Sequence, residues 1–312
     1  MDLSMQTRVG SSLKYSGYSL SLFFSLYISL FSETSNINIM LTNKKLLIDK
    51  DCPMCGFYGA AFTKMGLIDS RTIQPYQTVD RKLYKNIDMD RARNAIALHG
   101  EAGTVYGIDA FIEILSQGKK AIKEVLRFPL IYYPLLALYN LISYNRKLIY
   151  PVANAPGKTC IPDVNLTYRW IYIFLVAIIT GLVLNNFGSR VMHQLGVIHH
   201  PHVEWIMCFG QIVWQGAAVL LLRKERAMDY LGNMSTVSLI GGFLVGFILL
   251  LGQAVNIQPW LYLALFAVVV TIMLIEHIRR CSLLNLPWKM TLSWIVFRTI
   301  FLLVILHKIG VL

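Results

Sequence analysis

The chain has 312 residues, of which 55% are hydrophobic and only 15% are charged. Soluble domains carry roughly 25% charged residues, so this composition argues against an ordinary soluble protein and favours a membrane protein. The formal net charge of +12 does not require a nucleic-acid partner, because Lys and Arg beside the cytoplasmic ends of membrane spans produce the same excess. We therefore expect the lipid bilayer as a partner and no nucleic acid.

Charged residues are distributed unevenly, which divides the chain into three parts. Residues 44–165 have the charge balance of a soluble domain, whereas residues 166–312 carry their charges in a far more apolar background. Residues 1–43 are Ser-rich and contain one apolar stretch, YSLSLFFSLYISLF, that is shorter than the about 20 residues of a membrane span. This stretch fits a signal sequence, a signal anchor or a simple N-terminal extension. We favour the extension, because Met40 directly precedes the first strand.

The second part reads as an α/β unit in the order strand, helix, strand, hairpin, helix. Pro53 suits the first turn of the first helix and Gly66 its end, and Pro75 confines the second strand to an edge. The segments are KKLLID, CPMCGFYGAAFTKMG, RTIQPYQTV, NAIALHGEAGTVYG and IDAFIEILSQG. This order is that of a small thioredoxin-like sheet, which predicts an α/β thioredoxin-like domain over residues 44–165.

Residues 127–151 are apolar but contain Pro134 and several Tyr and Asn residues. The uninterrupted apolar stretch is marginal for a membrane span and better suited to a helix lying on the sheet or in the membrane interface. The Pro/Gly/Asn-rich segment that follows, VANAPGKTCIPDVN, predicts the domain boundary.

An all-α transmembrane domain of about five helices is predicted for residues 166–312. The predicted spans are 169–187, 203–222, 236–254, 259–276 and 291–308. The loops at 223–235 and 277–289 are basic and the other two are not, so the positive-inside rule places the basic loops and the α/β domain in the cytoplasm. We expect a multi-pass protein of a bacterial-type inner membrane with its C-terminus outside.

The motif Cys52-Pro-Met-Cys55 carries the chemistry that the sequence permits. Two cysteines three residues apart share one face of a helix, and the first would lie at the helix N-terminus, where backbone N–H groups favour a thiolate. Cys52 would then attack a disulfide, and the less exposed Cys55 would resolve the mixed disulfide. Pro53 fixes the backbone and removes a competing N–H, whereas the carboxylate of Asp51 acts against the thiolate. No organic cofactor is needed.

Two other interpretations of the CxxC motif stay open. A zinc site needs four ligands, but the further candidates, Cys160 and His99, are single residues. The alternative is a pair of inert buried thiols. We favour the redox interpretation over both.

The segment LLIDKDCPMC resembles the opening of the DCC family of thiol-disulfide oxidoreductases, in which an apolar strand runs into a DxxCxxC motif. Asp49, Cys52 and Cys55 match this motif, and Lys50 replaces the usual Gly. The segments IQPYQ, GEAGTVYGIDAFIEIL and YNLISYNRKLIYP, followed by Cys160, continue the similarity in order over residues 44–163.

The resemblance implies a thioredoxin-like fold, Cys52 and Cys55 as the redox pair and Asp49 as a motif residue. It also implies that residues 127–150 belong to this domain. Pro75 is the candidate for the cis-proline that faces the cysteines in thioredoxins.

The predicted membrane domain adds two unusual features. Candidate metal ligands lie between the first two spans: His193, His199, His200, His202 and Glu204. They fit a metal or haem site or a set of interfacial polar groups, and we favour the latter. Arg298 lies near the middle of the last span, where a charge is costly and usually faces a partner or an aqueous path. Cys208 and Cys281 are predicted to lie on opposite sides of the membrane.

Together these features predict a membrane-anchored thiol-disulfide oxidoreductase acting on a protein or small-molecule thiol or disulfide. The alternative is a membrane transporter, channel or scaffold whose DCC-like domain is regulatory or vestigial. A third possibility, electron flow through the spans from a quinone, ranks last, because no cysteine pair is predicted at the membrane surface.

Overall fold

A computed structural model describes residues 41, 43–79, 87–117, 120–151, 163–255 and 257–308. Nearly all of the predicted N-terminal extension and residues 152–162 of the predicted linker, including Cys160, lie outside this set.

The first half of the described chain is built on a mixed sheet of four strands. The strands are β1 (Lys45–Ile48), β2 (Ile73–Pro75), β3 (Ala97–Gly100) and β4 (Gly103–Tyr106). They are arranged in the order β2-β1-β3-β4, with β1 parallel to β2 and antiparallel to β3, and β3 antiparallel to β4. The hairpin predicted around GEAG is confirmed, because Gly100 pairs with Gly103 across a two-residue turn.

Alternate residues of the central strand β1 build the two faces of the sheet, as expected for a strand covered on both sides. Leu46 packs with Phe62 and Ile114 from the helices on one face. Leu47 packs with Ile87 and other residues on the opposite face. The helices of this half are α1 (Pro53–Lys64), α2 (Met89–Asn94), α3 (Ile108–Leu115), α4 (Lys120–Arg127) and α5 (Pro129–Ile149).

The second half of the described chain is helical. Its helices are α6 (Leu166–Gln194), α7 (His202–Arg223), α8 (Ala227–Ala254), α9 (Pro259–Leu283) and α10 (Lys289–Lys308). Three helical runs among the described residues are long and apolar enough to cross a membrane: 166–194, 202–254 and 259–283. A fourth is obtained if α4 and α5, which meet at a bend of 77°, are counted as one broken span.

The run 202–254 reverses direction between α7 and α8. Tyr230 Oη donates a hydrogen bond of 2.7 Å to Gln215 Oε1, whereas residues 15 apart in one straight helix would be about 22 Å apart at a rise of 1.5 Å per residue. The break falls at Arg223, whose φ of −157° and ψ of 67° are not helical. The reversal lies at the start of the basic loop predicted at 223–235, but residues 227–235 of that predicted loop belong to α8.

Helices α6 and α8 run parallel and form the centre of the helical half. Near their N-termini Tyr172 Oη and Thr236 Oγ1 lie 2.8 Å apart, and near their C-termini Arg190 Nη2 donates to the Gly252 carbonyl at 2.6 Å. Buried apolar residues of α6 to α10, including Ile173, form the largest core of the described residues.

Helix α5 joins the two halves. Asn145 Nδ2 donates to the Tyr168 carbonyl of α6 at 3.1 Å, and Arg280 of α9 donates to the Leu148 carbonyl. A guanidinium against the last carbonyls of a helix also opposes the negative end of the helix dipole. The C-terminal turn of α5 is therefore fixed to the helical half.

Candidate active site

Cys52 and Cys55 lie where β1 passes through a tight turn into α1. The Cys52 amide donates to the Asp49 carbonyl at 3.2 Å, which closes the turn. Cys52 is the N-cap residue of α1, with an extended backbone, and Pro53 occupies the first helical turn. The predicted placement of Cys52 at the helix N-terminus and of Cys55 one turn further on is confirmed.

Both sulfur-bearing side chains are buried, with Cys52 3% and Cys55 5% exposed. The expected difference in exposure between the two is therefore wrong. The reason is that both cysteine side chains are turned inward, although Lys50 in the same turn is exposed. A hydrogen bond to Cys52, together with burial, raises the pKa of the Cys55 thiol, and the positive charge of Arg146 opposes this rise.

Asp49, the acidic residue of the motif, lies at the end of β1 and is 2% exposed. Its Oδ1 accepts from Gln77 Nε2 at 2.6 Å and from the Asp51 amide at 3.0 Å. Its Oδ2 accepts from Arg146 Nη2 at 3.2 Å. A buried carboxylate is costly unless it is paired and hydrogen-bonded, and these three donors satisfy Asp49 and fix the turn.

Arg146 of α5 is the functional residue that the sequence analysis missed. It is 5% exposed, and besides Asp49 it contacts the carbonyls of Arg93 (2.7 Å) and Asn94 (3.2 Å). The sequence signal for Arg146 was its position as an Arg within a largely apolar segment, YNLISYNRKLIYP. The pairing itself joins residues 97 positions apart, and local periodicity carries no information on such contacts.

A small pocket of about 40 Å³ opens beside Cys55. It is lined by Cys55 and Tyr58 of the first part of the domain and by Tyr139, Ser143 and Arg146 of α5, among others. Burial raises the pKa of Tyr58, and the neighbouring Cys55 and Cys52 add to this rise. Helix α5 therefore covers Cys55, whereas Cys52 does not line this pocket.

The structure bears on two details of the DCC resemblance, the Lys50 in place of Gly and Pro75 as the candidate cis-proline. Among the described residues only Asn285 combines a side chain with a positive φ, so the turn at Lys50 does not require a Gly. The Lys50 amide donates to Gln77 Oε1 at 3.3 Å. Pro75 ends β2, and the described residues contain no cis peptide bond, so Pro75 is not the cis-proline expected from the resemblance.

The candidate metal ligands are not gathered into a site. His199 Nε2 lies 3.1 Å from Glu204 Oε1, while His193, His200 and His202 are exposed. No group of three or more His, Cys, Asp or Glu in the described part of the chain is placed to hold a metal ion.

The remaining cysteines of the described residues are unpaired and lie in the helical half. Cys208 Sγ is 3.8 Å from Thr180 Oγ1, and Cys281 Sγ is 3.7 Å from His277 Nδ1. Arg298 lies in α10, with its guanidinium over the ring of Trp294.

No family model, curated protein or solved structure matches this chain.

Proposed function

We propose that the protein is a membrane-anchored thiol-disulfide oxidoreductase that exchanges dithiol and disulfide through Cys52 and Cys55. The observation that carries this proposal is the placement of two free thiols at the N-terminus of α1, beside a buried Asp49–Arg146 ion pair. The positive end of the helix dipole favours the thiolate of the N-cap cysteine, which is the attacking species in disulfide exchange.

In the reducing direction, the Cys52 thiolate attacks one sulfur of a substrate disulfide and forms a mixed disulfide. The other substrate sulfur leaves as a thiolate and takes the proton of the Cys55 thiol. Cys55 then attacks the Cys52 sulfur, and the second substrate sulfur leaves and is protonated from water. Two electrons pass from the cysteine pair to the substrate, and the reverse sequence oxidises a substrate dithiol.

The architecture supports a thioredoxin-like assignment. A parallel strand-helix-strand unit is followed by an antiparallel hairpin and a helix, and the CxxC motif lies at the start of the first helix. The DxxCxxC resemblance to the DCC family implies the same two cysteines as the redox pair. We also propose five membrane spans, with α10 as the fifth, and a cytoplasmic redox domain in a bacterial-type inner membrane, because the two basic loops and this domain share one side.

The test is a titration of the cysteines by alkylation in defined thiol-disulfide buffers, with the full chain in detergent. We expect a reversible two-electron couple and a Cys52 pKa well below roughly 8.5, the value of a free thiol. Cys55→Ser should accumulate a mixed disulfide on Cys52, and Cys52→Ser should lose exchange. Cys281→Ser, which removes a buried cysteine of the helical half, is the matched control and should leave exchange unchanged.

A second candidate function is a transporter, channel or scaffold with a regulatory or vestigial DCC-like domain. The observation that favours it is the burial of both thiols together with a cavity in the helical half that contains Arg298. Two outcomes would favour this candidate. Either the thiols fail to react with small alkylating reagents at neutral pH, or thiol-disulfide exchange survives Cys52→Ser.

A further inference from the structure

The helical half contains a cavity of about 40 Å³ that the thiol chemistry does not use. Most of its lining is apolar or small, contributed by α6, α7, α8 and α9, and Arg298 enters from α10. The hydroxyls of Thr180 and Ser235 donate to carbonyls of their own helices, at 2.7 and 2.9 Å. Two other polar side chains of the lining, Arg298 and Gln211, have N–H groups without acceptors.

Arg298 has no acidic partner among the described residues. Its Nη1 donates to Met207 Sδ at 3.6 Å, a weak acceptor, and its guanidinium lies 5.1 Å from the centre of the Trp294 ring. Its Nε is buried without an acceptor, and Nη2 forms no hydrogen bond to a described residue. Glu204, one turn before Cys208 on α7, pairs with His199 instead.

Gln211 supplies a second, independent donor. Its side chain is 3% exposed, it lines the same cavity, and its Nε2 has no acceptor among the described residues. A buried donor without an acceptor is destabilising, and a desolvated positive charge without a counter-charge is more so. The cavity therefore contains donors without acceptors on two helices, from Gln211 of α7 and Arg298 of α10.

We propose that this cavity binds the carboxylate of a monoanionic ligand. The Nε and Nη2 atoms of Arg298 form the edge of the guanidinium that matches a carboxylate through two parallel hydrogen bonds, and the Gln211 amide would donate to one of the same oxygens. A monoanion neutralises the one cationic side chain of the lining, whose Nε is buried, whereas a dianion would leave an uncompensated negative charge. The volume holds a carboxylate head group and not a drug-sized molecule.

Such a head group has two sources, a small free carboxylate from water and a fatty acid from the bilayer. Thermal unfolding of the full chain in a maltoside detergent distinguishes them, because a ligand that binds the folded state raises the unfolding midpoint with its concentration. We expect octanoate or acetate to raise the midpoint, and chloride and octanol, each at the same concentration, not to do so. A shift with acetate indicates the free carboxylate, and a shift with octanoate alone indicates the lipid source.

Variants locate the site. Arg298→Gln should abolish the shift, Arg298→Lys should retain only part of it because the two-pronged geometry is lost, and Gln211→Leu should reduce it. Arg279→Gln removes the same charge from an exposed helix end and should keep the full shift. Cys52→Ser should also keep it, which separates this site from the proposed thiol function.

A second measurement covers the case in which Arg298→Gln does not fold. Cys208 lines the cavity, so its alkylation by a small reagent in the wild-type chain, read by peptide mass spectrometry, should slow when the carboxylate is present. Alkylation of Cys281 should not change. An equal shift with chloride or octanol, a shift that persists in Arg298→Gln, or unchanged alkylation of Cys208 would overturn the proposal.

Discussion

Asp49 and Arg146 form a buried ion pair, with Arg146 Nη2 3.2 Å from Asp49 Oδ2. The pair connects the turn that carries the cysteines to α5. The preceding residue of α5, Asn145, donates instead to the Tyr168 carbonyl of α6. Two consecutive side chains thus attach the candidate active site and the helical half to the same turn of one helix.

Removing one partner of this pair should be strongly destabilising. Asp49→Asn and Arg146→Met each leave a buried charge uncompensated, which costs about 3–5 kcal/mol in the free energy of unfolding. The double variant should cost clearly less than the sum of the two, because neither charge is then left alone. Chemical unfolding of the four proteins in a double-mutant cycle gives the coupling between the two residues.

The matched control for this cycle is Arg71→Gln. Arg71 also pairs with an aspartate, Asp69, but its side chain is 88% exposed, so its loss should leave stability nearly unchanged. Additive effects of Asp49→Asn and Arg146→Met would contradict the ion pair.

The raised pKa of the Cys55 thiol predicts that the protein becomes less stable at alkaline pH. Its hydrogen bond to Cys52 and its burial raise its pKa above the roughly 8.5 of an unfolded thiol. Below about pH 8.5 the Cys55 thiol keeps its proton in the folded and in the unfolded chain, so its contribution to the free energy of unfolding is fully present. Above it only the unfolded chain releases the proton, so the free energy of unfolding falls by up to about 1.4 kcal/mol per pH unit until the folded pKa is reached.

Unfolding at pH 7.5 and 9.5 measures this slope. Cys55→Ala should flatten it, whereas Tyr58→Phe, which removes a phenol that titrates at higher pH, should leave the slope between these two values intact. An unchanged slope in Cys55→Ala would mean that other groups determine the pH dependence.

Local patterns in the sequence predicted the elements better than their contacts. The strand KKLLID, the helix that starts at Pro53 and the GEAG hairpin follow from periodicity and turn residues, and the structure has all three. The segment around Pro134 was ambiguous because its burial depends on partners far away in sequence. Asp49 has two side-chain partners, Gln77 and Arg146. Gln77 lies in a short 3-10 turn after β2 and Arg146 in a distant helix, and no local pattern specifies either contact.

Close packing between α5 and α8 should make Gly232 sensitive to substitution. A Cβ added at Gly232 would collide with Leu148 of α5, and overpacking of this kind costs about 1–3 kcal/mol. We expect Gly232→Ala to lower the thermal unfolding midpoint and to increase hydrogen exchange in the C-terminal turn of α5. Gly246→Ala on the same helix is the control, since its Cβ would meet Val183 at an ordinary 3.9 Å. Equal effects of the two substitutions would show that α5 does not pack on Gly232.

The proposed topology predicts the side of the membrane on which each loop is found. Glu225 lies in the basic turn between α7 and α8, and His200 lies in the segment between α6 and α7, where Arg190 is the nearest basic side chain of α6. In a chain whose own cysteines are replaced by alanine, His200→Cys should react with a membrane-impermeant maleimide added to intact cells. Glu225→Cys should react only after permeabilisation, because the basic loop is expected in the cytoplasm. The opposite labelling pattern would place the cysteine pair outside, where an oxidising environment favours disulfide formation over reduction.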